Sequence, residues 1–68
     1  MKIKYDKKVD AIYIEFSKGT YSRSRKVSDS VLVDEDKGGK ILGVEILDAK
    51  ENVKAFDPAK VGLKLQVI

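Results

Sequence analysis

The chain has 68 residues, with 14 Lys or Arg against 11 Asp or Glu for a net charge of +3, and it contains neither cysteine nor histidine. That length allows one domain with a marginal core, because a chain this small buries only about 60% of its unfolded surface. Disulfide staples and the usual zinc ligands are excluded, which leaves packing, ion pairs or association with a second chain to hold the fold. No apolar run approaches the roughly 20 residues that a spanning helix needs. The opening MKIKYDKKVD also lacks the apolar core of a secretory signal. With no cysteine to oxidise, a cytoplasmic protein without membrane association is expected. The charge is uneven: residues 1–26 carry a balance of +5, residues 27–51 of −4 and residues 52–68 of +2. A basic and an acidic half in one small domain are expected to pair with each other, which argues against nucleic acid as the partner.

Along the chain the dominant period is two. Ile3 and Tyr5 alternate with Lys2 and Lys4, then Ile12, Ile14 and Phe16 with Ala11, Tyr13 and Glu15. Each is the pattern of a strand with one apolar face. Tyr21–Val27 is a third, polar strand, Val31–Val33 the core of a fourth, and Leu42, Val44 and Ile46 mark a fifth. The links DKKVD, SKGT, SDS and EDKGG are too short for a parallel crossover, so the first 47 residues read as a five-strand meander. The period-two rule pairs Tyr5 with Ile12, Ile3 with Ile14, Val33 with Val44 and Val31 with Ile46. A two-residue loop at Asp29-Ser30 sets Val27 opposite Leu32, Arg25 opposite Asp34 and Arg23 opposite Asp36. Asp48-Ala49-Lys50-Glu51 has the form of a capping box, which predicts a short helix to about Ala55. Asp57-Pro58 repeats the start signal and Gly62 ends it. Leu63–Ile68 alternates again as a sixth strand.

The expected fold class is therefore mainly β, α+β at most: an antiparallel five-strand meander with one or two short helical turns and a C-terminal strand. Residues 1–68 form one domain, in which 1–52 make the sheet and 53–68 a tail that packs on it or extends it.

Tyr5-Asp6, Asp10-Ala11-Ile12-Tyr13-Ile14, Val31-Leu32-Val33-Asp34 with Asp36 and Gly39, and Leu42-Gly43-Val44-Glu45-Ile46-Leu47-Asp48-Ala49 together resemble the prokaryotic domain-of-unknown-function family 2283 over residues 1–52. The resemblance implies an uncharacterised cytoplasmic β-rich domain with no assigned activity and no cofactor. Members of that family are sometimes encoded beside small proteins suspected of being toxins, so it also implies an antitoxin-like role as an alternative.

Three stretches invite a chemical reading. DEDKGGKILGVE, from Asp34 to Glu45, carries acids at its first and third positions, glycine at its sixth and glutamate at its twelfth, as a calcium loop does. Its fifth position is Gly38, which has no side-chain oxygen, and its flanks are β-rich rather than helical. A hairpin turn is expected, with no metal site beyond a weak surface cation at Asp34 and Asp36. Tyr21, Arg23 and Arg25 share a strand face, the arrangement in which one ring stacks and two guanidiniums reach phosphates. The competing expectation, which we favour, is an ion-paired face against Asp34 and Asp36. Tyr21, Arg23, Arg25, Asp34 and Asp36 are thus the candidate interaction residues.

Catalysis lacks a base. Ser17, Ser22, Ser24, Ser28 and Ser30 have no histidine beside them, and Asp34 with Asp36 could act as acid and base only inside a cleft. No catalytic residue is assigned, and a small hydrolase stays as the second alternative to a non-catalytic protein-interaction module. Gly43, inside a strand, points to a close approach by Tyr13, Tyr21 or a partner's backbone. The apolar residues on both sheet faces outnumber what one short tail covers, which predicts a homodimer or a small protein partner.

Overall fold

The computed structural model describes residues 1–54, Asp57 and the backbone of Leu65–Val67. Among the described residues, six strands, β1 (Lys2–Asp6), β2 (Ala11–Glu15), β3 (Arg23–Ser28), β4 (Val31–Glu35), β5 (Ile41–Ile46) and β6 (Leu65–Val67), form one sheet, and one helix, α1 (Ala49–Asn52), follows β5. The protein is mainly β, and β1 to β5 pair with one another in antiparallel fashion only. Apart from the polar β3, the strands arise where apolar residues, most of them β-branched or aromatic, repeat at every second position.

The strand order is β3-β4-β5-β2-β1-β6, so the meander is broken at one place. β2 does not hairpin onto β3; it pairs with β5, setting Ile12 opposite Ile46 and Ile14 opposite Val44. β2 to β5 thereby form a Greek key. The connection through residues 16–22 crosses the end of the sheet, a distance of three strand spacings or about 14 Å, which that many residues span easily. It is tied down as it goes: Phe16 and Ser17 donate their N–H groups to Leu42 O, and Ser22 donates to Glu35 O. The link is short, but short links force only adjacent hairpins when no other strand competes. Here β5 offers β2 a fully apolar face, and the polar β3 does not.

The remaining expected registers hold: Tyr5 faces Ile12, Ile3 faces Ile14, Val33 faces Val44 and Val31 faces Ile46. β6 departs from the antiparallel pattern by lying parallel to β1, with Ile3 opposite Leu65 and Tyr5 opposite Val67. Its connection from β5 is long enough for such a crossover, the condition that the earlier links fail. Residues 63, 64 and 68, also expected in this strand, lie outside the described residues, as do the Ala55 helix end and the Pro58 and Gly62 signals.

The core sits where α1 meets the sheet. Tyr5, Ile12 and Ala49 are buried there, with Ile3, Ile14, Ile46 and Val53 packed around them. The helix is shorter than expected, and its N-cap residue Asp48 makes no side-chain cap bond. Asp10 does that work from the β1–β2 turn. Its main-chain carbonyl accepts from Ala49 N at 2.9 Å, and its carboxylate accepts from Lys50 N and from the Tyr5 hydroxyl at 2.8 Å. Among the described residues no helix is long and apolar enough to cross a membrane.

Candidate functional site

The five residues singled out in the sequence converge on the β3–β4–β5 end of the sheet, but they divide between its two faces. The reason is a one-residue slip. Between Lys26 and Ser28 the β3–β4 ladder shifts, leaving Val27 as a bulge. Lys26 then faces Leu32, Arg25 faces Val33, Ser24 faces Asp34 and Arg23 faces Glu35. The expected pairs of Arg25 with Asp34 and Arg23 with Asp36 are thereby replaced, because a slip of one sends every side chain to the other face.

On the α1 face, Arg23 and Arg25 close on a carboxylate that the sequence reading passed over. Arg23 Nε donates to Glu35 Oε1 at 3.0 Å, and Arg25 donates to Glu35 Oε2 at 3.3 Å from Nε and 3.2 Å from Nη2. Glu35 is 5% exposed, whereas the two arginine side chains are 56% and 53% exposed. One buried carboxylate thus holds two guanidiniums whose outer edges still meet water. A signal was present: period two aligns Glu35 with Val31 and Val33, and an acid on an apolar face requires cations.

On the opposite face the side chains form a hydrogen-bonded chain. The Tyr21 hydroxyl lies 2.7 Å from Ser24 Oγ, and Ser24 Oγ donates to Asp34 Oδ1 at 2.6 Å. With the serine proton committed to Asp34, Tyr21 is the donor in the first bond. Asp34, 5% exposed, meets the carboxyl of Glu45 one step along β5. Hydrogen bonding to Asp34, then burial, then the charge of Asp34 push the Glu45 carboxyl up to about 7. Burial, followed by the charges of Asp34, Glu15 and Glu45, raises the Tyr13 phenol. Tyr21 therefore sides with Ser24 and not with the arginines, so the stacking ring and the two cations do not share a face.

Asp36 has a different task. Its Oδ1 accepts from Gly38 N and Lys40 N, both at 2.9 Å, and its carbonyl accepts from Gly39 N. That is a turn held by an aspartate, with Gly39 supplying the positive φ of 85°. The calcium-like DEDKGGKILGVE stretch is this turn and the two strands it joins. Among the described residues no cluster of three metal-ligating side chains occurs.

β3 itself is the outer strand on this side, and all six of its residues are exposed. Tyr21 and Val27, one at each end of it, are 58% and 54% exposed. A shallow groove lined by Thr20, Tyr21, Ser22, Asp36, Lys37 and Gly38 continues the edge beyond Arg23.

The family described as "Protein of unknown function (DUF2283)" matches residues 2–50. A relative, the uncharacterized protein MJ0789 of Methanocaldococcus jannaschii, is 31% identical over 70 residues; the match takes in the whole of this chain, which spans 60% of that protein's length. No solved structure matches the chain.

Proposed function

The chain belongs to the DUF2283 family, proteins of unknown function, and we propose that it serves as a small non-catalytic protein-interaction module whose contact edge is β3. One observation carries the reading: β3 is an outer strand of the sheet and is exposed along its whole length. The free side of an outer strand offers N–H and C=O groups to which a second protein can add a strand. The bonds from Arg23, Arg25 and Ser24 into β4 hold the edge in place before binding, which lowers the ordering cost of a complex. Asp34 with Glu45 is the nearest approach to acid–base machinery. Its hydrogen bonding is directed inward to Ser24 and to itself, and the chain has no histidine or cysteine to work with it. These features support binding over catalysis, in a cytoplasmic setting that suits a chain without cysteine.

The test is affinity capture from the native host with the wild-type chain and with Lys26→Glu and Val27→Lys. The reading expects a protein held by the wild type and lost by both variants. A partner held equally by all three, or nucleic acid in its place, contradicts it.

A second reading, self-association as a homodimer, has its own support. Phe16 and Ile41 are 49% and 48% exposed at one end of the sheet, and Ile3, Ile14, Val44 and Ile46 are only half-buried on the α1 face. A two-fold contact would cover both sets.

A further inference from the structure

We infer that β3 takes up an extended acidic segment of a partner protein as an added strand; this rests on the reading of β3 as the contact edge and names the chemistry of what binds there. The edge presents positive charge. Arg23 and Arg25 share one counter-charge, Glu35, so a positive excess faces outward on the α1 side. On the other side of the strand Lys26 is 64% exposed, and its contact with the fully exposed Asp29 is a loose 3.8 Å. A strand laid along β3 therefore meets cations on both of its faces. Acids at alternating positions would stand opposite Arg23 and Arg25, and an acid on the intervening side would stand beside Lys26, since cross-strand pairs of opposite charge stabilise and like charges repel.

A second copy of the same edge, the other obvious strand donor, is repelled. Antiparallel pairing of Arg23–Ser28 with itself sets Arg25 opposite Arg25, Lys26 opposite Lys26 or Arg23 opposite Arg25, according to register. Every central register places cation against cation. The charges that keep this edge from pairing with itself are thus the charges that select an acidic visitor. The edge also offers anchors. Val27 and Tyr21 give exposed apolar contacts at the two ends of the strand, and the groove beside Tyr21 extends the track past Arg23.

The probe is a short synthetic peptide of alternating glutamate and valine, with one central valine also replaced by glutamate and with blocked ends, titrated into the full chain while backbone amide shifts are followed by NMR. Controls are the lysine–valine counterpart and an oligothymidylate. The inference expects saturable shifts centred on residues 21–28, produced by the acidic peptide and not by the basic one. Affinity should weaken roughly tenfold as salt rises from about 50 to about 500 mM, as exposed charge pairs are screened. Lys26→Glu, which removes no bond into the sheet, should weaken binding several-fold and leave the melting temperature unchanged. No response at millimolar peptide, an equal response to both peptides, or shifts centred on another edge would overturn the inference. A response to the oligothymidylate alone would overturn it in favour of nucleic acid. If the peptide fails while a β3-dependent protein is still captured, the contact edge stands and the acidic identity of its partner falls.

Discussion

At Gly43 the backbone of β2 and the ring of Tyr13 leave no room for a side chain. A Cβ built there would stand 2.6 Å from Ile14 O and 2.7 Å from the Tyr13 hydroxyl. The first neighbour is backbone and cannot move aside, so Gly43→Ala is expected to cost about 1–3 kcal/mol in urea unfolding. Gly19 looks as crowded, at 2.7 Å from Leu42 Cδ2, but that neighbour is the tip of a flexible side chain. Gly19→Ala should therefore cost clearly less, and equal losses at the two sites would contradict this distinction. The sequence flagged Gly43 because glycine inside a strand needs a reason, and Tyr13 was among the neighbours expected. Glu45 makes a second residue-scale prediction. Its proton is held to about 7 in the folded chain against 4.5 for the free carboxyl. The folded state therefore binds the extra proton between those values. Stability from this group is complete below about 4.5 and is lost as pH rises through about 7. Allowing for the water that still reaches this half-buried group, the loss is on the order of 1–2 kcal/mol. Glu45→Gln keeps a donor for Asp34 and does not titrate, so its melting temperature should lack that fall. The same fall in both proteins would remove Glu45 as the cause.

At the scale of elements, two connections depend on carboxylates placed outside the element they serve. α1 is only four residues long and cannot stand alone, and Asp10 fastens its first turn to the β1–β2 hairpin. Asp10 has a φ of 53°, so alanine there loses the bonds to Tyr5 and Lys50 and also strains the backbone. Asp10→Ala should cost about 1–3 kcal/mol and Asp10→Gly less, measured by chemical unfolding. Equal costs would show that the bonds alone decide, and the reverse order would show that the positive φ does not strain alanine. In the β3–β4 hairpin, replacing Arg23 and Arg25 together by alanine leaves Glu35 buried without its cations, at about 2–3 kcal/mol. Glu35→Gln should cost less, because two half-exposed guanidiniums turn readily to water. What was legible here follows from side-chain pattern. The β1–β2 and β4–β5 registers could be read because apolar faces on both partners fix the pairing. The β3–β4 register could not, because Ser22, Ser24 and Lys26 carry no face preference that forbids a bulge at Val27. Glu35 was legible in principle, since it falls in line with Val31 and Val33, and it escaped notice beside two other acids.

For the whole molecule, strand existence was written in local periodicity, whereas strand order was not. Ile12 and Ile14 pack equally well, by pattern alone, against any apolar neighbour, so the pairing of β2 with β5 reflects competition across the chain. The parallel β6 likewise depends on a crossover whose route no local signal encodes. Self-association belongs to this scale as well. If a homodimer covers the half-exposed apolar residues, sedimentation at micromolar concentration should show a species above 7.6 kDa and a melting temperature that rises with concentration. A clean monomer with concentration-independent melting would remove that reading and leave the β3 edge untouched. The edge is tested most directly by backbone amide hydrogen exchange on the chain alone and in complex with the protein it captures. In the free chain the amides of Arg23–Ser28 that do not point at β4 should exchange like open coil, and in the complex those same amides should become protected. Protection that appears at another edge or face, with the outward amides of β3 still exchanging freely, would contradict the account.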